Sequence, residues 1–219
     1  MFRKPFFRYL VLSCCMILIA EITKNVLNFN KLIQISLAEN LTNQQIEFFF
    51  NQQSKWHWFS IVFTPIYILI KTNLIASILY IGTYFYSKTE VKYKLLWDIA
   101  VKAEFLFLIA LICKIIWFYF FQTNYTLKDV QYFYPFSVIN FLDYNEIDSW
   151  FIYPLQTLNL FEFGYWILLS YFISKLVQSN KTDQNKYPID FGLIIVSTSY
   201  GISLFLWVII IMFFTLNFS

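Results

Sequence analysis

Lys114 and Glu162 are ionisable side chains set inside apolar runs, "FLFLIALICKIIWFYFF" over 105–121 and "LQTLNLFEFGYWILLSYFISKL" over 155–176. A lysine in hydrocarbon costs at least about 2.5–3.5 kcal/mol on insertion scales, so it needs a partner or a task. Lys114 lies seven residues before Phe121 and Glu162 seven after Leu155. On antiparallel helices both therefore fall roughly 10 Å below the same boundary. Matched depth predicts a buried ion pair with two readings. One is a proton-coupling or ligand-binding pair in a cavity; the other is a contact that fixes how two helices dock.

The remaining chemistry is sparse. His57, the single histidine, stands between Trp56 and Trp58 and reads with them as an interfacial belt. Lys71 joins that set as a cation snorkelling at the end of a span. Asp98 and Lys102, at i,i+4, and Glu104 just beyond form a polar cytoplasmic mouth; such a pair stabilises a helix by about 0.2–0.5 kcal/mol and needs no further role. No G-x-x-x-x-G-K-[ST], H-E-x-x-H, G-x-S-x-G or G-x-G-x-x-G occurs, so phosphate cradles and common hydrolytic centres are not expected. Cys14, Cys15 and Cys113 lie in apolar runs without metal-ligand spacing. A protein with no catalytic residue, metal or cofactor is the expectation. The one other polar set, Asp143, Glu146 and Asp148 with His57, has no spacing that would unite it in a lipid-processing enzyme.

The elements that position these residues belong in a bilayer. The 219 residues are 59% hydrophobic, 23% aromatic and only 13% charged, with a mean hydropathy of +0.57, too little charge to solvate a globular surface. The small net charge of +3 is no nucleic-acid footprint. The reading is all-α: a single domain over 1–219, a bundle of about five transmembrane helices near 5–22, 68–87, 102–121, 153–175 and 190–216. The first is a retained span, since no A-x-A-like cleavage site follows it. Thr42 and Gln45 in capping-box spacing predict an amphipathic interfacial helix near 41–50. A short interfacial or re-entrant piece then runs to Pro65, and an aromatic outer loop covers 122–152.

Basic residues set the orientation. Arg3, Lys4, Arg8, Lys88, Lys92, Lys94, Lys175, Lys181 and Lys186 fall on one side, against Lys24, Lys31, Lys55 and Lys128 on the other. This bias predicts a cytoplasmic N-terminus and, with an odd span number, a periplasmic C-terminus.

The order "QSKWHWFSIVFTPIYILIKTNL", a span, "VKYKLLWDIAVKAEFLFLIALICKII", then "LQTLNLFEFGYWILLSYFISKL" and a final span resembles the Yip-family integral membrane proteins of bacteria over about residues 50–217. The resemblance implies a helical module of the bacterial inner membrane that acts through interactions and carries no catalytic motif. The expected function is thus an interaction, scaffold or accessory subunit of a membrane complex. Its expected partners are the lipid bilayer and a membrane protein or a second copy. The alternative is a small-solute or ion permease using Lys114 and Glu162. Four glycines, too few for a broken-helix transport path, weigh toward the first.

Overall fold

The computed structural model describes residues 3–87, 91–143, 146–179 and 189–218. Lys88, Lys181 and Lys186 of the basic asymmetry lie outside them. The described residues form helices and connecting turns with no strand: α1 (Arg3–Val26), α2 (Phe29–Ala38), α3 (Asn43–Ser87), α4 (Tyr93–Phe120), α5 (Leu127–Tyr132), a 3-10 turn (Val138–Phe141), α6 (Ser149–Thr157), α7 (Leu160–Ser179), α8 (Ile189–Val196) and α9 (Ile202–Phe218). Four helical stretches, Lys4–Val26, Asn43–Tyr86, Leu160–Gln178 and Asp190–Phe218, are long and apolar enough to cross a membrane.

α4 is the axis of the bundle. Between Leu96 and Glu104 it buries Leu96, Asp98, Ile99, Ala100, Val101, Ala103 and Glu104, residues that cover its whole circumference. Its small Ala100 and Ala103 let neighbours approach closely. α1 runs parallel to it: Arg8 near the start of α1 meets Asp98, and Leu27, just past its end, packs with Phe118. α3 and α7 flank α4 on its other sides, and α8 packs against α7 and α3.

Three features differ from the sequence reading. No separate interfacial helix or re-entrant piece precedes Pro65, because α3 is one helix of 45 residues that begins right after Thr42 and passes through Pro65. Gln45 Oε1 accepts from the Thr42 N–H at 3.0 Å, so the cap is used, but by the long helix. A proline inside a helix costs about 3 kcal/mol relative to alanine. Here α1 docks onto the site, and the Tyr9 hydroxyl donates to the Pro65 carbonyl at 2.8 Å. The second difference lies in 122–152. That stretch holds α5, capped by a reciprocal Thr126–Asp129 box, the 3-10 turn and the start of α6. The third is a break in the expected span 153–175. The chain leaves α6 at Leu158, and Asn159 restarts it, its Oδ1 accepting from the Glu162 N–H at 2.8 Å.

The last apolar stretch is interrupted by one π-helical turn, Ser197–Gly201, between α8 and α9. Such a turn inserts a residue and re-aims the side chains beside it. Tyr200 is among them.

Candidate functional site

Glu104 and Glu162 form one cluster in the bundle, held by side chains of α3, α7 and the turn before α9. Glu104 on α4, its side chain only 3% exposed, accepts from Lys71 Nζ of α3 at 2.9 Å and from the Tyr165 hydroxyl of α7 at 3.2 Å. The Lys71 ammonium also sits 4.6 Å from the centroid of the Phe107 ring, a favourable cation–π placement. Glu162, in the first turn of α7, accepts from Trp166 Nε1 at 3.1 Å and from the Tyr200 hydroxyl at 2.8 Å. The Tyr165 and Tyr200 rings meet at a tilt, centroids 5.4 Å apart, and join the two halves.

The local reasons are visible. Trp166 follows Glu162 by four residues, on the same helical face, and lies against Gly201, where a Cβ would come within 2.6 Å of its ring. The π-helical turn presents Tyr200 to the same carboxylate. In the link after α5, burial pushes the Tyr134 phenol up to about 12, with the charges of Glu162 and then Glu104 adding to the effect. The Tyr134 phenol is thus a neutral group within electrostatic reach of both carboxylates.

The expected Lys114–Glu162 pair is not what the helices bring together. Gly164 packs on Leu106, and Tyr165 on Glu104 and Phe107, so Glu162 lies level with the segment just after Phe107. Lys114 is several residues farther along α4, roughly 10 Å. The miscount comes from treating 153–175 as one straight helix when it breaks at Leu158 and Asn159. Lys114 is half-buried and takes part in none of the ion pairs among the described residues.

Two other assignments are corrected. Lys71 does not snorkel at a helix end: it sits inside α3 and turns inward to Glu104. Glu104 is not part of a cytoplasmic mouth, because nearly two turns past Asp98 it has entered the core. Asp98 and Lys102 do form an i,i+4 ion pair, and Arg8 of α1 binds the same carboxylate, tying α1 to α4. His57 Nε2 is 3.3 Å from Glu21 Oε1, between α3 and α1, while Trp56 and Trp58 are exposed beside it.

Sequence reasoning missed Tyr165, Trp166 and Tyr200. Asn159 three residues before Glu162 was a readable helix-start signal, and Tyr165 and Trp166 at i+3 and i+4 share its face. Nothing local marks Tyr200. Among the described residues no group of three or more His, Cys, Asp or Glu could hold a metal ion. No family model matches the chain, and neither a curated protein nor a solved structure matches it.

Proposed function

We propose that this chain is a five-span membrane protein of the bacterial inner membrane that acts through protein contacts, as a scaffold or accessory subunit of a membrane complex. α4 is the fifth crossing helix, its charges sheltered by α1, α3 and α7. The similarity in segment order to Yip-family proteins supports the same reading.

The observation that carries the proposal is the shape of α3. At 45 residues it is about 67 Å long, more than twice the roughly 30 Å of a hydrocarbon core. From Asn43 to Tyr67 Ile46 alone is buried. That arm mixes exposed aromatics, Phe48, Phe49, Trp56 and Trp58, with the amides of Gln44, Gln45, Asn51, Gln52 and Gln53. Outside the hydrocarbon water satisfies the amides but not the rings, and exposed rings beside hydrogen-bonding groups are what protein interfaces use. The occupant proposed is another membrane protein. A photo-crosslinking amino acid at Phe49 or Trp58, in native membranes, should yield one discrete protein adduct that co-purifies in mild detergent. Adducts with lipid alone at both positions would end this reading.

Orientation follows from the basic asymmetry and has its own test. With Cys14, Cys15 and Cys113 replaced by alanine, cysteines at Asp148 and Lys92 are exposed probes on opposite sides. An impermeant thiol reagent should label intact spheroplasts at position 148 and not at 92. The reverse pattern would invert the topology.

A second reading is favoured by one observation: a single ammonium, Lys71, serves a cluster with two carboxylates, Glu104 and Glu162, and interacts electrostatically with both. Such a cluster has room for an exchangeable proton. A permease would then work through Lys71, Glu104 and Glu162 rather than through Lys114.

A further inference from the structure

A cavity of about 660 Å³ opens beside the carboxyl half of α4, between Ile116 and Trp117 of that helix and Phe133, Phe136 and Ile139 of the segment after α5. This lies within the roughly 300–1,000 Å³ of small-molecule sites. Four of its polar wall residues bond within the protein. The Asp129 carboxylate accepts from the Thr126 N–H and hydroxyl, and Gln122 Oε1 accepts from Trp117 Nε1. The Ser137 hydroxyl donates to the Leu155 carbonyl, and Asn140 Nδ2 to the Tyr134 carbonyl. What the cavity offers an occupant is mainly aromatic and aliphatic surface.

Phe136 adds a second, independent sign. Its φ of 55° is in the left-handed region, where a bulky residue is a genuine outlier. The conformation is clamped: the Leu160 N–H donates to the Phe136 carbonyl at 3.2 Å and the Val138 N–H to the Leu158 carbonyl at 3.0 Å. Strain held in place this way is characteristic of ligand-contacting backbone. The clamp is the α6–α7 junction, so the cavity wall and the break before Glu162 are one construction.

Continuity decides the kind of ligand. Ile116 lines the cavity and also belongs to the exposed apolar strip of α4 with Ile109 and Ile112, the strip that faces lipid once α4 crosses a bilayer. Exposed Tyr119, Phe120 and Phe141 fringe the same end, as aromatic residues do at a membrane boundary. We infer that the cavity takes an acyl chain of a membrane phospholipid, entering along the Ile116 side with its head group left at the boundary. The inference uses the bilayer placement and is independent of the scaffold reading.

The test uses the full chain reconstituted in phosphatidylcholine vesicles doped with a phosphatidylcholine that carries a photoactivatable acyl chain. Adducts should concentrate on residues 113–142 relative to the lipid-facing residues of α9, and Ile116→Trp should lower that share several-fold while α9 labelling stays constant. If Ile116→Trp does not fold, Leu142→Trp on the rim carries the same expectation. Even labelling of α9 and 113–142, or labelling unchanged by a folded blocking variant, overturns the inference. So does labelling of this segment by a free fatty-acid probe where the phospholipid probe fails. Absence of adducts on α9 as well would overturn the bilayer placement along with this site.

Discussion

Lys71→Leu should be among the most damaging substitutions in the chain, and Lys71→Leu combined with Glu104→Leu should restore most of what it loses. The single change leaves Glu104, 3% exposed, with one neutral donor, Tyr165, in place of an ammonium. Breaking a buried ion pair from one side typically costs about 3–5 kcal/mol, whereas replacing both members by apolar groups is often neutral. Glu104→Leu alone should cost less, because the Lys71 side chain is 34% exposed and keeps the Phe107 ring beneath it. Lys114→Leu should leave stability unchanged or raised, since it breaks no ion pair. The measurement is the monodisperse fraction surviving a temperature series in detergent. If Lys71→Leu tolerates heat as the parent does, the Lys71–Glu104 contact is not holding α3 to α4. A double variant that folds but no longer transports in proteoliposomes, where the parent does, would make the pair functional and favour the permease.

Gly192→Ala should lower stability by about 1–3 kcal/mol, toward the upper end, while Gly164→Ala should stay within about 0.5 kcal/mol of the parent. At Gly192 a Cβ would overlap the Ser170 carbonyl oxygen and the Ser174 hydroxyl and stand 2.9 Å from the Ser170 carbonyl carbon. The obstacle is backbone, so α7 and α8 must separate. They would also strain the bond from the Gly192 N–H to the Ser174 hydroxyl, 3.0 Å long. At Gly164 the nearest atom is a terminal methyl of Leu106 at 3.1 Å, which a small rotamer change can move. Alanine also has the higher helix propensity, which offsets part of that adjustment. Thermal unfolding of the two variants side by side checks this. Equal losses at both positions would mean that α7 and α8 do not meet closely at Gly192.

These glycines show how the same residue supports different arguments. Four glycines in an apolar chain weigh against a broken-helix transport path. The structure shows what at least two of them do: Gly192 brings α8 against α7, and Gly201 admits the Trp166 ring. The residue type signals close approach, but not against which neighbour.

Much of the architecture was legible from the chain. Apolar runs and helix-start residues are local properties, so the all-helical class, the helix beginning after Thr42 and the long apolar helices could be read without knowing what lies beside them. Pro65 misled because local propensity predicts an interruption, whereas α3 packs there on α1, whose Tyr9 hydroxyl reaches the Pro65 carbonyl from 56 residues away. The break at Leu158 was missed although Asn159 and Glu162 spell a capping pattern. An apolar run that is long enough to span hides its own interruptions.

The partners of the charged groups are a different matter. That Lys71, Glu104, Lys114 and Glu162 must each be sheltered follows from their types and their hydrophobic surroundings alone. Which of them meet depends on how far each helix slides along its neighbour, and one helical turn, about 5.4 Å, is enough to exchange one partner for another. The break before Asn159 shifts Glu162 to the level of Phe107, and the π-helical turn at 197–201 delivers Tyr200 to it. Lys71 reaches Glu104 because α3 continues through Pro65 and lies along α4. Composition and periodicity determined that this chain forms long apolar helices with a few ionisable groups inside. The register between helices, a sum of contacts spread over distant segments, decided that Glu104 takes the lysine and Glu162 takes a tyrosine and a tryptophan.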